Sequence, residues 1–172
     1  MSRDHASNQR GNNNHATALS GVLMALALVL SYLETLVPIH FVVPGVKLGL
    51  ANIVTIIALV RLGIGRAIII SVGRILLSGV LFGNPLVIVY SLAGAALSML
   101  VMVVMRKFSI FSVTGVSVGG AIAHNFGQLL VAALIMENVK LMYYMAILSV
   151  TGVIAGCAIG LLTSYLLKIL RF

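Results

Sequence analysis

The stretch AIIISVGRILLSGVLF, residues Ala67–Phe82, decides the fold. It is long, apolar and helix-compatible, and it carries one charge, Arg74, mid-way along its length. In lipid, a lone arginine at mid-depth costs about 2.5–3.5 kcal/mol on insertion scales. The whole chain has only 11 Lys or Arg and 3 Asp or Glu. Every charged residue except Arg74 lies outside or near the ends of an apolar stretch. A chain so sparing with charge places that one for a reason, and the functional reading starts there.

Hydrophobic residues make up 61% of the 172-residue chain and charged residues 8%, with a mean hydropathy of +1.19. A soluble domain carries about 25% charge. The composition therefore defines an integral membrane protein, in which the bilayer takes the place of an aqueous surround. The net charge is +8. Its charges are scattered singly across short gaps, which is the pattern of topogenic signals, and no nucleic-acid partner is expected. The single cysteine, Cys157, lies in an apolar run and reads as a packing residue. Residues Met1–Ala16 are polar and Asn-rich, with Arg3, Asp4 and Arg10. They are expected to form a disordered cytoplasmic tail, followed by a single membrane domain over residues 17–172. The first apolar stretch has no clear cleavage site after it and is not read as a secretory signal.

Six spans are expected, at Thr17–Leu36, Lys47–Val60, Ala67–Phe82, Pro85–Met105, Val113–Met136 and Leu141–Leu167. The second is short, and so either tilted or only partly spanning. Pro38 and Pro44, Gly63 and Gly65, and the turn Gly83-Asn84-Pro85 separate successive spans. Alternate gaps place Arg3, Arg10, Arg61, Arg66, Arg106, Lys107, Lys168 and Arg171 on one side and Lys47 and Lys140 on the other. The positive-inside rule then puts both termini in the cytoplasm. The expected fold class is an all-α six-transmembrane-helix bundle, N-in and C-in. Small residues recur at every fourth position: Gly152, Gly156 and Gly160 form one row, and Gly115, Gly119, Ala123 and Gly127 another. Such rows let helix backbones approach closely in lipid, and packing within the bundle is the expected use of both. Span one offers Gly21 and Ala25, which could pack inside or face a partner.

With the direction of each span assigned, the strongly polar residues fall in the middle and outer half. They are Glu34, Lys47, Asn52, Arg74, Asn84, Tyr90, His124, Asn125 and Gln128, with His40 on the outer loop. Polar groups in lipid must be satisfied by one another, by water or by a ligand. A cluster open to the outside suggests a cavity for an external small molecule, anionic or partly apolar. Arg74 either pairs with Glu34 or offers its planar fork to a carboxylate or phosphate. His124 and Gln128, four apart, share a helix face. Together with Asn125 they either line that cavity or bond neighbouring helices. Lys47 either joins the cavity or anchors the interface. Glu137 and Lys140 read as solvated loop charges.

Several chemistries are missing. There is no Gly-rich phosphate loop followed by Lys-Ser/Thr, so the chain does not hydrolyse ATP by itself. There is no HExxH motif, and the carboxylates are Asp4, Glu34 and Glu137 alone. A magnesium-dependent reaction on a diphosphate needs several carboxylates to hold the metal. No enzyme, metal site or cofactor is expected of the chain.

The stretch Pro44-Gly-Val-Lys-Leu-Gly-Leu-Ala-Asn52, together with Ala123-His-Asn-Phe-Gly-Gln128, resembles the bacterial family labelled both "Gx transporter" and "heptaprenyl diphosphate synthase component I". In size and span count that family is similar to the S-components of energy-coupling factor (ECF) importers. Those six-helix proteins bind vitamins or related molecules from outside and dock on a transmembrane T subunit and two ATPases, partly through small residues on helix one. The resemblance implies a substrate-binding subunit in the bacterial cytoplasmic membrane, with Gly21 and Ala25 at the docking face. The other label implies a non-catalytic accessory in an isoprenoid, quinone or membrane electron-transfer pathway. A free-standing secondary carrier is a weaker third reading, since no clear inverted repeat relates the halves.

Overall fold

A computed structural model of the chain describes residues 2–36, 49–108 and 110–169, with side chains from Asn13 onward. Every regular element among the described residues is helical. The helices are α1 (Ser2–Leu36), α2 (Leu50–Arg61), α3 (Ile64–Phe82), α4 (Pro85–Lys107), α5 (Val113–Ile135) and α6 (Met145–Ile169), with a 3-10 segment, Val139–Tyr144, leading into α6. Five stretches in these elements are long and apolar enough to cross a membrane: Asn13–Leu36, Ile64–Phe82, Pro85–Lys107, Val113–Ile135 and Val139–Ile169. The chain is a multi-pass membrane protein.

At its N-terminal end α1 departs from the sequence reading. Helix is continuous from Ser2, through the segment expected to be a disordered tail. Propagation from an apolar helix already formed avoids the cost of nucleation. At 35 residues α1 is about 52 Å long, well beyond the roughly 30 Å apolar slab, so its polar turns extend past the apolar part. Pro38, His40, Pro44 and Lys47 lie outside the described residues.

α2 has 12 residues and a length of about 18 Å, too short to span on its own. It is apolar on every side, and Ala51 and Ile53–Leu59 are all buried. A helix of that composition belongs in the centre of a bundle. α2 accordingly packs on α1, α3 and α6, while α1 packs on α3, α3 on α4, α4 on α5 and α5 on α6. Leu23 and Ala27 of α1, Ile56 and Leu59 of α2, and Ala67 and Ile70 of α3 form the core of the half near the C-terminus of α2.

Both rows of small residues lie mainly at contacts within the bundle. A Cβ at Gly156 would sit 2.7 Å from Val118 Cα, and one at Gly160 would sit 2.6 Å from Thr114 Cα, so α6 rides backbone-to-backbone on α5. A Cβ at Gly127 would meet Ala93 O on α4 at 2.8 Å. α3 and α4 are joined by the expected tight turn. Pro85 opens α4, and the Asn84 side chain caps it by accepting from Val87 N at 2.9 Å.

The two ends of the bundle differ in charge. At one end Arg61 Nη2 donates to Leu167 O of α6 at 2.7 Å, and Arg106 Nη1 donates to Leu59 O of α2. Each cation thus satisfies a carbonyl near the C-terminus of another helix, where the dipole favours positive charge. Arg66, Lys107 and Lys168 lie in the helix-terminal turns at this same end. Lys140 sits in the connection between α5 and α6 at the opposite end.

Candidate functional site

The end of the bundle opposite the basic cluster holds a cavity of about 280 Å³. All six helices contribute to its wall: Ser31, Glu34 and Thr35 from α1; Asn52 at the start of α2, with Gly49 just before it; Arg74, Ser78 and Phe82 from α3; Val87 and Ser91 from α4; His124 and Asn125 from α5; Gly152, Ala155 and Ile159 from α6. On α1 the spacing Leu23, Ala27, Ser31, Glu34 is helical, so one buried stripe is apolar at the basic end and polar at the cavity. Tyr32 and Phe82 stack at a tilt, with ring centroids 4.9 Å apart, and tie the ends of α1 and α3 together there.

The two charges in the cavity bond elsewhere than to each other. Arg74 Nη1 donates to Ser31 Oγ at 3.3 Å, the long end of the range, and its Nε is buried with no partner. Glu34, buried to 8% exposure, accepts from Gly49 N at 2.5 Å. Gly49 has φ 71°, a left-handed conformation that glycine adopts without strain, and it turns the chain into α2. The Glu34 carboxylate therefore lies at the positive end of α2, where the helix dipole supports it. That leaves the guanidinium half-satisfied beside an open volume, in which a carboxylate or phosphate would complete its hydrogen bonding.

The other expected site residues divide. Asn52, His124 and Asn125 line the cavity with Glu34 and Arg74. Asn125 also has a structural task, since its Nδ2 donates to Leu148 O on α6 at 2.8 Å. Asn125→Ala is expected to lower the unfolding free energy in detergent by about 0.6–1.7 kcal/mol, the range for interhelical bonds in membranes. Tyr90 and Gln128 lie apart from this cavity. They line a neighbouring pocket of about 470 Å³ with Leu129, Ala132, Met136, Leu141, Tyr144 and Leu148. Asn84 is outside both walls, its side chain committed to the α4 cap. Lys47 lies outside the described residues.

Ser31, Ser78 and Ser91 were not singled out from the sequence. The signal was present: Ser31 is three residues before Glu34, and Ser78 four after Arg74, so each shares a helix face with a flagged charge. Among the described residues no three His, Cys, Asp or Glu side chains come together as a metal site.

Five apolar candidate spans around a cavity lined in part by polar side chains, with one incompletely bonded arginine on its wall, define a class: a helical multi-pass membrane protein with a partly open cavity among its helices. The model of the heptaprenyl diphosphate synthase component I family matches residues 23–166, from within α1 to within α6, and the chain belongs to that family. No curated protein and no solved structure matches the chain.

Proposed function

We propose that this chain is the membrane-embedded substrate-binding subunit of an importer, similar to ECF S-components, and captures a small anionic or partly apolar molecule. The observation that carries the reading is Arg74, a cation with one long hydrogen bond to Ser31, on the wall of a cavity. In this reading the chain crosses the bacterial cytoplasmic membrane six times. Both termini are cytoplasmic and the cavity faces outward. The gathering of Arg61, Arg66, Arg106, Lys107 and Lys168 at the end away from the cavity supports that orientation. The pocket comprises Glu34, Asn52, Arg74, His124 and Asn125, with Lys47 five residues before Asn52 in sequence. The chain is non-catalytic, and its scarcity of carboxylates supports this. Gly21 and Ala25 are exposed on α1, and a Cβ at Gly21 would meet nothing within 4 Å. They form the docking face for a T subunit that works with two ATPases.

The family description favours a second reading, a non-catalytic membrane component beside a prenyl diphosphate synthase in an isoprenoid or quinone pathway. Purification from native membranes in mild detergent separates the two. The importer reading expects a T subunit and an ATPase pair to be recovered with the chain, and weaker recovery from Gly21→Leu. Recovery of a soluble prenyl synthase instead overturns it.

A further inference from the structure

The polar cavity has an apolar neighbour, and the two share part of their walls. Val87 and Asn125 line both. On one side of them lie Arg74, Ser31 and His124; on the other lie Leu129, Ala132, Leu141 and Leu148. The apolar side is the larger, about 470 Å³ against 280 Å³. Asn125 is held between them by its bond to Leu148 O, so the boundary stands at a fixed place on α5. Besides the shared Asn125, Tyr90, Gln128 and Tyr144 give the apolar side two phenols and one amide, none of them charged, so it offers no counter-charge to a second anionic headgroup.

We infer that the two volumes form one bipartite site for a single-tailed amphiphile: a compact anionic headgroup, carboxylate or phosphate, at Arg74, and an alkyl or prenyl tail among Leu129, Ala132, Leu141 and Leu148. This deepens the reading of the polar cavity as a ligand site and rests on it. A headgroup oxygen meets the Arg74 guanidinium where that side chain lines the cavity, while the tail fills a space whose lining offers almost only carbon. A tail also partitions into lipid, so selectivity comes from satisfying head and tail together and not from burial of the tail alone.

The test compares octyl phosphate with methyl phosphate, and octanoate with acetate, on detergent-purified full-length protein below the micellar concentration of each probe. Ala132→Phe fills the apolar side, and Ala132→Leu is the milder substitute if the first does not give a monodisperse protein. Partition of the tail into detergent is common to wild type and variant and cancels in the comparison. The octyl-to-methyl affinity ratio is expected to fall at least 10-fold on filling the pocket, and the octanoate-to-acetate ratio shows whether carboxylate heads behave alike. An unchanged ratio, with Arg74→Gln still abolishing binding of both phosphates, overturns the bipartite site and leaves the anion cavity standing. Binding of neither probe pair, or binding indifferent to Arg74, overturns both.

Discussion

Arg74→Met is expected to weaken binding of an anionic ligand by about 30-fold or more, the effect of leaving a buried charge without its partner. The same variant, empty, is expected to be at least as stable as wild type. The two effects have one cause. Arg74 makes a single long hydrogen bond, to Ser31, and its Nε has none. A buried unsatisfied donor costs about 1–3 kcal/mol, and a methionine of similar reach removes that cost. Glu34 also attracts the guanidinium, which works in the opposite direction. That carboxylate keeps its bond to Gly49 N and the dipole of α2 when Arg74 is gone. Arg74→Lys retains the charge without the planar fork, and its binding is expected to fall between the two. Thermal unfolding in detergent and equilibrium binding on the same samples check both signs. A clear loss of stability in empty Arg74→Met would show that the arginine is there to hold α1 and α3 together.

Gly160→Leu is expected to cost more than about 4 kcal/mol, a magnitude that few single substitutions reach. Its Cβ alone would lie 2.6 Å from Thr114 Cα and 2.9 Å from Ser117 Cβ. The first of these is backbone and cannot turn aside, so α6 must lift away from α5. Gly160→Ala is expected to cost about 1–3 kcal/mol, the usual range for overpacking. Gly21→Leu is the control, because the space around Gly21 is open. The three unfolding midpoints, measured in one detergent, should fall in the order Gly21→Leu, Gly160→Ala, Gly160→Leu, the last lowest. Because α5 carries His124 and Asn125 and α6 carries Gly152 on the cavity wall, loss of this contact also opens the site.

The elements of the fold were legible because lipid allows few alternatives. Pro85 after Gly83-Asn84 fixed the start of α4, and the apolar run of Ala67–Phe82 is α3 with one turn added before it. Counting along each span put Glu34 near the outer end of its helix, Asn52 in the outer half, Arg74 near mid-depth and His124 and Asn125 from there outwards, and these five line one cavity. Rotation was not legible. Gln128 is one turn beyond His124 on the same face, yet it lies in the next pocket because the α4–α5 crossing intervenes at Gly94. Charge alone left Arg74 open between Glu34 and a ligand; Gly49 N holds that carboxylate, and the guanidinium reaches Ser31 while still attracted by Glu34. A backbone donor at a glycine turn leaves no mark in the charge pattern. The N-terminal turns of α1 were hidden because their polar composition favours disorder, whereas continuity with the apolar part of the helix favours extension.

Native mass spectrometry of wild-type and Arg74→Met protein, released from mild detergent, tests the cavity most directly. A single small-molecule adduct, anionic when freed, is expected on the wild type and absent from the variant. No adduct on either protein, or the same adduct on both, would contradict the assignment of Arg74 as the ligand-binding cation.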